Sequence, residues 1–432
     1  MSRILVIRQH YYPQDPRVRR EVKVLVQLGH EVDIICLARA GERPRERCDG
    51  VNIRRISLRR HQGGTARYLL EYGAFGILAA VLAGWLQLRQ RYDLVQVNSI
   101  PDTLIFAAVV PRLLGVPVLL DLHECMPEFF ATKFRTGLAH PAVRAIAACE
   151  QASIRFASFA ITCTRQMREV FITRGAPGDK IGVIVNGADE ECFAPQQYAT
   201  AKGSGHFTLI CHGAIEERYG LDTAIRAVGL VKGDIPGVRL EIYGEGSYRG
   251  ELQRLARDLG VERHVWFSDG FAPIGDLVAA IAAADVGVVA MKRDVFRDLT
   301  LCNKMFDFIA MGKPILMSRT RAVAEYFGAD CFQFFTADDE RDLARAIREL
   351  HADPDCGPRL AARAAEANEP NRWQHQGLQY AGIVTTLLRA HQEASSRSAR
   401  RSSRRFATLA ALALAMSATV RLARGLWRRG AW

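Results

Sequence analysis

The sequence predicts an α/β protein built from two Rossmann-like, doubly wound domains facing across a cleft, followed by a basic C-terminal tail with a short apolar helix. Three observations predict it. The chain is 432 residues long, too long for one ordinary core at roughly 100–200 residues per domain. Short aliphatic runs bounded by Gly, Pro, Asp or Asn alternate with helix-length segments, which is the pattern of βαβ units. That alternation starts again near residue 206, after a stretch rich in Gln, Gly, Ala and Lys.

The first domain is expected over residues 1–195, with strands at 3–7, 31–37, 51–57, 93–98 and 116–121. Residues 15–29 read as the first crossover helix, with Val18, Val22 and Leu25 on one side and Gly29 closing it. The apolar stretch 68–88 reads as a buried or surface-lying helix of this domain, because a membrane span there would split the sheet. Segment 196–205 is the linker. The second domain, 206–370, has expected strands at 208–211, 239–243, 264–267, 286–290 and 314–318, with helices at 220–232 and 248–259. Residues 371–392 carry Trp373, Leu378, Tyr380, Ile383 and Leu387 at helical spacing and are expected to pack back on the first domain.

The remainder, 393–432, starts with a Ser/Arg-rich linker and continues into an apolar stretch at 406–420, flanked by arginine on both sides. About 15 residues is short for a span, which needs ~20. An interfacial or anchoring helix, a true span and an inert tail all remain open for it. The net charge of +12 calls for a polyanionic partner, and nine arginines between Arg397 and Arg429 supply most of the excess. No helix-turn-helix, zinc-finger or RRM signature accompanies them, so the expected partner is an anionic membrane surface and not nucleic acid. The 10 cysteines are scattered singly without metal spacing, which suits a reducing cytoplasm. Because the chain runs directly into a strand at Arg3, export is not expected.

Several segments just past predicted strands carry chemistry. Between Asp298 and Ile315 an acidic residue on a helix, Asp307, is followed five positions later by Gly312-Lys313-Pro314 and a strand. Orphan amides at such a helix N-terminus favour phosphate, and a carboxylate accepts from paired hydroxyls. A turn runs from Cys211 to Asp222, a Gly-x-Gly loop follows the strand at Ile242, and Trp266 to Ala272 closes the next one. In the first half, Gln9 to Glu21, Gln96 to Asp102 and Leu120 to Glu128 all follow hydrophobic strands.

Taken in this order over residues 1–390, these motifs resemble family 4 glycosyltransferases of the GT-B fold, of the kind found in bacterial exopolysaccharide and lipid-linked glycan assembly. The resemblance implies retaining, metal-independent transfer from a nucleotide sugar, such as a UDP- or GDP-sugar, to a glycan or lipid-linked acceptor, with no cofactor. It implies a peripheral protein on the cytoplasmic face of the inner membrane. It makes His123 and Asp307 the catalytic candidates. Gly213, Arg218, Gly244, Glu245, Gly246, Phe271, Lys304 and Asp307 become donor-binding candidates, with Asp307 on the ribose hydroxyls and Lys304 on the phosphates. Asp15, Arg17, Asn98, Asp102, Glu124 and Glu128 become acceptor-side candidates, and Arg17 or Arg20 could reach phosphate. The family's paired glutamates fall here on Leu299 and Asp307, and its Arg and Lys phosphate pair on Ala214 and Tyr219, so three charges are replaced. A sugar-nucleotide epimerase of the same architecture and a non-catalytic scaffold are the competing readings.

Overall fold

The computed structural model describes residues 1–58, 65–194 and 205–396. The linker 196–205 and the tail 393–432 therefore lie largely outside the described residues, as do the arginine run and the apolar stretch 406–420.

Two parallel α/β sheets form the scaffold. The first has eight strands: β1 (Arg3–Tyr11), β2 (Glu31–Leu37), β3 (Arg45–Cys48), β4 (Val51–Ile56), β5 (Leu94–Asn98), β6 (Val118–Leu122), β7 (Phe159–Thr162) and β8 (Ile181–Val183). Their order is β3-β4-β2-β1-β5-β6-β7-β8, parallel except for the β3–β4 hairpin. The second has six: β9 (Phe207–His212), β10 (Val238–Tyr243), β11 (Val265–Phe267), β12 (Val286–Val289), β13 (Ile315–Ser318) and β14 (Gln333–Phe335), ordered β11-β10-β9-β12-β13-β14. Chain order reverses beside β1 in one sheet and beside β9 in the other. Open α/β sheets form their binding crevice at such switch points, outside the strands' carboxyl ends.

The strands expected near residues 3, 31, 51, 93, 116, 208, 239, 264, 286 and 314 all form. The structure adds β3, β7, β8 and β14, each four residues or fewer, too short for alternation to announce them. Helix α1 (Pro16–Gln27) starts as a proline at N1 favours, with Asp15 as cap: its carboxylate accepts from Val18 N at 3.3 Å. Helix α2 (Thr65–Gln90) lies along the first sheet and buries Phe75, Ala79, Ala83 and Leu86 beneath it.

Two features tie the lobes together. Residues 373–396 form a helix whose Tyr380, Val384 and Leu388 enter the first domain's core beside Ile4, Val6 and Val32. The Tyr380 hydroxyl donates to Gln96 Oε1 at 2.5 Å. In the opposite direction, Phe296 and Leu299 of the second domain join the first domain's core, and Thr164 Oγ1 donates to Leu299 O at 2.6 Å.

Candidate active site

The second lobe contributes a nest of loops. Strand β9 ends at His212, and Gly213 follows with φ of +98°. A Cβ there would come within 2.9 Å of Lys304 Cε. Gly244, at φ of +146°, lies so close that its Cβ would fall 1.9 Å from Gly213 O, and one at Gly246 would fall 2.1 Å from Ile215 O. These glycines therefore let two strand-end loops lie on each other, held by Gly213 N to Tyr243 O and Ile215 N to Glu245 O, both 2.8 Å.

Against this nest stands the N-terminus of the helix Asn303–Ala310. Its Lys304 is buried, with Nζ 4.0 Å from the Tyr219 ring centroid. Tyr219 occupies the family's lysine position, so an aromatic face now steadies a cation supplied from the facing helix. The following Gly-Lys-Pro is structural, since Lys313 Nζ donates to Ala282 O and Ala284 O at 2.6 and 2.7 Å.

One turn after Lys304, Asp307 is largely buried, and this pushes its pKa up to about 7, with Arg20 pulling the other way. His212 Nε2 lies 3.6 Å from Asp307 Oδ2, too far for a hydrogen bond. Burial, followed by the charge of Lys304, drives the His212 pKa down to about 3, so this imidazole is neutral. Packed between Phe193 and Phe308, His212 walls the Asp307 side of the site.

The first lobe contributes the turn after β6. His123 Nε2 is 2.8 Å from Asp121 Oδ2, and its backbone N donates to Ser99 Oγ at 3.1 Å. Burial lowers the His123 pKa despite Asp121, so the ring is held neutral and oriented. Beside it, burial pushes Glu124 up to about 7 while Arg218, Arg297 and Arg8 pull it back. His123 and Glu124 line one cavity of about 230 Å³ with Arg218, Tyr219, Arg297 and Lys304 of the second lobe. A basic wall thus faces a neutral imidazole and a carboxyl poised near neutrality, which suits an anionic leaving group on one side and hydroxyl groups on the other.

Not every candidate residue reaches this cavity. Arg17 is buried and grips Asp121 through two hydrogen bonds, 2.8 and 2.7 Å, with a third to Asn186 Oδ1 at 2.7 Å. It supports the site from beneath and does not face phosphate or acceptor. Asn98 is also fully buried, donating to Glu21 and Asp121 at 2.9 Å each. Asp102 and Glu128 belong to a separate buried group. Glu128 accepts from Arg174 at 2.6 Å, and burial followed by the Glu150 charge pushes Asp102 up to about 8. These four are corrections: a position just past a strand does not say which way the side chain turns. Asp15 is buried, capping α1 and pairing with Arg8 Nε at 2.9 Å. Arg20 donates to the Gly187 and Ala188 carbonyls and stacks on Trp373 at 4.9 Å. Glu245 and Phe271 are exposed and line no part of the cavity.

Leu299, where the family's first glutamate would stand, is packed into the interface, so that position serves lobe docking. The cavity-lining Arg297, 4% exposed and paired with Asp294, carried no sequence signal. Arg8, in the second half of β1, was likewise missed, although its strand borders the switch point. The sequence's one Asp-x-Asp triplet, Asp353-Pro354-Asp355, lines no part of the cavity. Asp353 there accepts from Asp355 N and Cys356 N at 3.1 and 3.2 Å and pairs with Arg359, so it shapes a turn. Among the described residues no cluster of three or more His, Cys, Asp or Glu could hold a metal ion.

Comparison with known proteins identifies the family. Residues 14–187 match the glycosyl transferase 4-like domain, and residues 206–353 match the glycosyl transferases group 1 domain. The chain is a member of this glycosyltransferase family. Over 239 residues it is 26% identical to the GDP-mannose-dependent alpha-(1-6)-phosphatidylinositol monomannoside mannosyltransferase of Mycolicibacterium smegmatis, covering 53% of this chain and 62% of that one. Over 156 residues it is 33% identical to the lipopolysaccharide core biosynthesis glycosyltransferase LpsE of Rhizobium meliloti, covering 36% and 42%. The chain thus spans less than two thirds of the length of these curated relatives. Among solved glycosyltransferase folds, the sucrose-phosphate synthase of Thermosynechococcus elongatus superposes with a TM-score of 0.70 at 18% identity, covering 90% of this chain and all of that one. Anabaena Alr3699/HepE in complex with UDP and glucose gives 0.67 at 16%, covering 89% and 100%. At such identity these likenesses establish the GT-B fold.

Proposed function

We propose that this chain transfers a sugar from a nucleotide donor, such as a UDP- or GDP-sugar, to a glycan or lipid-linked acceptor, with retention of anomeric configuration and without a metal ion. The observation that carries the reading is that Lys304, beside the Gly213 turn, and His123 with Glu124 line one cavity from opposite lobes. A diphosphate resting on the first amides of the helix Asn303–Ala310 and on Lys304 has its charge balanced there, and its sugar points toward His123. The acceptor oxygen attacks the anomeric carbon from the face that the diphosphate leaves. Its proton passes to the departing phosphate oxygen, so no enzyme nucleophile is required. Asp307 accepts from the donor's ribose hydroxyls, and its raised pKa falls once hydroxyls replace the solvent it has lost.

The relatives' names support this substrate class, since one is a GDP-mannose-dependent transferase acting on phosphatidylinositol monomannoside and another acts in lipopolysaccharide core biosynthesis. The arginine-rich tail is assigned to the anionic cytoplasmic membrane surface, where a lipid-linked acceptor resides. Incubating the purified protein and membranes with labelled nucleotide sugars, with and without a chelator, tests the proposal. Transfer that survives chelation and gives a product of unchanged anomeric configuration is expected. Interconversion of sugar nucleotides without acceptor would instead identify an epimerase, and nucleotide binding without turnover a scaffold.

A further inference from the structure

Helix α2 has a face that the fold leaves uncovered. Its buried stripe, Phe75, Ala79, Ala83 and Leu86, fixes it in the first domain's core. The opposite side exposes Ile77, Val81 and Leu88 to 68%, 68% and 69%, with Leu70, Leu78 and Trp85 alongside. No charged residue occurs from Tyr72 to Leu88. The neighbouring helix α3 (Val109–Leu113) packs so closely that a Cβ on Gly84 would meet Val110 at 3.2 Å. It extends the patch through Leu113, 80% exposed, and Leu114. Segment Leu70–Gln90 is long and apolar enough to cross a membrane by length and composition, but its packed stripe holds it against the sheet.

Charge supplies the second observation. Arg89, Arg91 and Arg112 are exposed at the edge of the patch, and the Arg89 guanidinium lies 4.6 Å over the Trp85 ring. The nearby Asp93 is engaged by the Arg3 backbone N at 2.8 Å. A second copy paired with its helix parallel would bring like-charged rims together, whereas anionic headgroups meet all three arginines with opposite charge.

We propose that the α2–α3 face docks on an anionic lipid bilayer, the apolar row entering the acyl boundary while Trp85 and the three arginines lie at headgroup level. This contact is separate from the one assigned to the tail, and it does not depend on the transfer reaction.

Flotation of the full-length chain with phosphatidylcholine vesicles, with and without phosphatidylglycerol, tests it. The double variant Ile77→Glu/Val81→Glu is expected to lose binding to the mixed vesicles by about tenfold or more, with its circular dichroism unchanged because both positions are exposed. Leu113→Glu, on the other helix, is expected to weaken binding in the same direction. Arg89→Gln/Arg112→Gln is expected to lower binding to mixed vesicles while leaving the share that the tail arginines contribute. Undiminished flotation of the double variant overturns the proposal. So does a lipid-free wild type that sediments as a dimer while the double variant is monomeric, since a second copy then covers the face.

Discussion

His123 Nε2 lies 2.8 Å from Asp121 Oδ2, and that same carboxylate is gripped by Arg17 from below. The residue that orients the cleft's imidazole is therefore part of the first domain's buried charge network. Asp121→Asn is expected to act on stability as well as on transfer. Leaving Arg17 buried with a weakened partner costs about 3–5 kcal/mol, readable as a lower midpoint in urea. A midpoint equal to wild type would mean the network redistributes its charge.

His123→Ala removes a cavity-lining group and Asp307→Ala the carboxylate one turn after Lys304, and neither cuts a hydrogen bond between the lobes. Each is expected to lower kcat/KM by about a hundredfold or more, with a melting temperature close to wild type. Near-normal transfer in either variant removes that residue from the site.

Lys304→Met retains most of the side chain's bulk beside Tyr219 but discards its charge. Binding of a nucleoside diphosphate is expected to weaken by about 1.5–3 kcal/mol, and its dependence on salt should flatten. Calorimetric titration at two ionic strengths measures both. An unchanged salt slope would show that the phosphate rests elsewhere.

Glu124 and Asp307 are each raised to about 7 in the folded protein. Because the folded state holds these protons more tightly than the unfolded chain, the contribution of these two groups to stability is fully present below the unfolded carboxyl range. It declines as pH rises through the interval from about 4 to about 7. Glu124→Gln is expected to reduce that decline, measured as the difference in urea midpoints between pH 5 and pH 8. An identical difference in the variant would show that Glu124 ionises freely.

Leu299→Glu restores the family's first carboxylate in sequence but places a charge in a packed interface. A loss of several kcal/mol and no gain in donor affinity are expected. Tighter donor binding at unchanged thermal stability would instead show that the loop can turn outward.

The long strands and the glycine-marked turns were legible because aliphatic alternation and strand-to-helix glycines are local signals. That Lys304 and Asp307 share one helix was legible for the same reason, as their spacing from Gly312 just past its end is local. What escaped detection depends on rotation about the strand axis and on the other lobe. Nothing local distinguishes the buried Arg17 from the cavity-lining Arg297, because Asp121 lies 104 residues from the former and Glu124 lies in the opposite domain from the latter. The role of Leu299 was hidden too, since the core it fills belongs to residues early in the chain.

The threading of Tyr380 into the first domain has a consequence for biosynthesis. A ribosome that has released residues 1–194 has delivered every strand of the eight-stranded sheet, yet the surface around Ile4, Val6 and Gln96 still lacks the aromatic ring and hydroxyl that seal it. The lobe begun first is thus completed last, and until the helix at 373–396 emerges the nascent chain carries an apolar scar of the kind that chaperones hold.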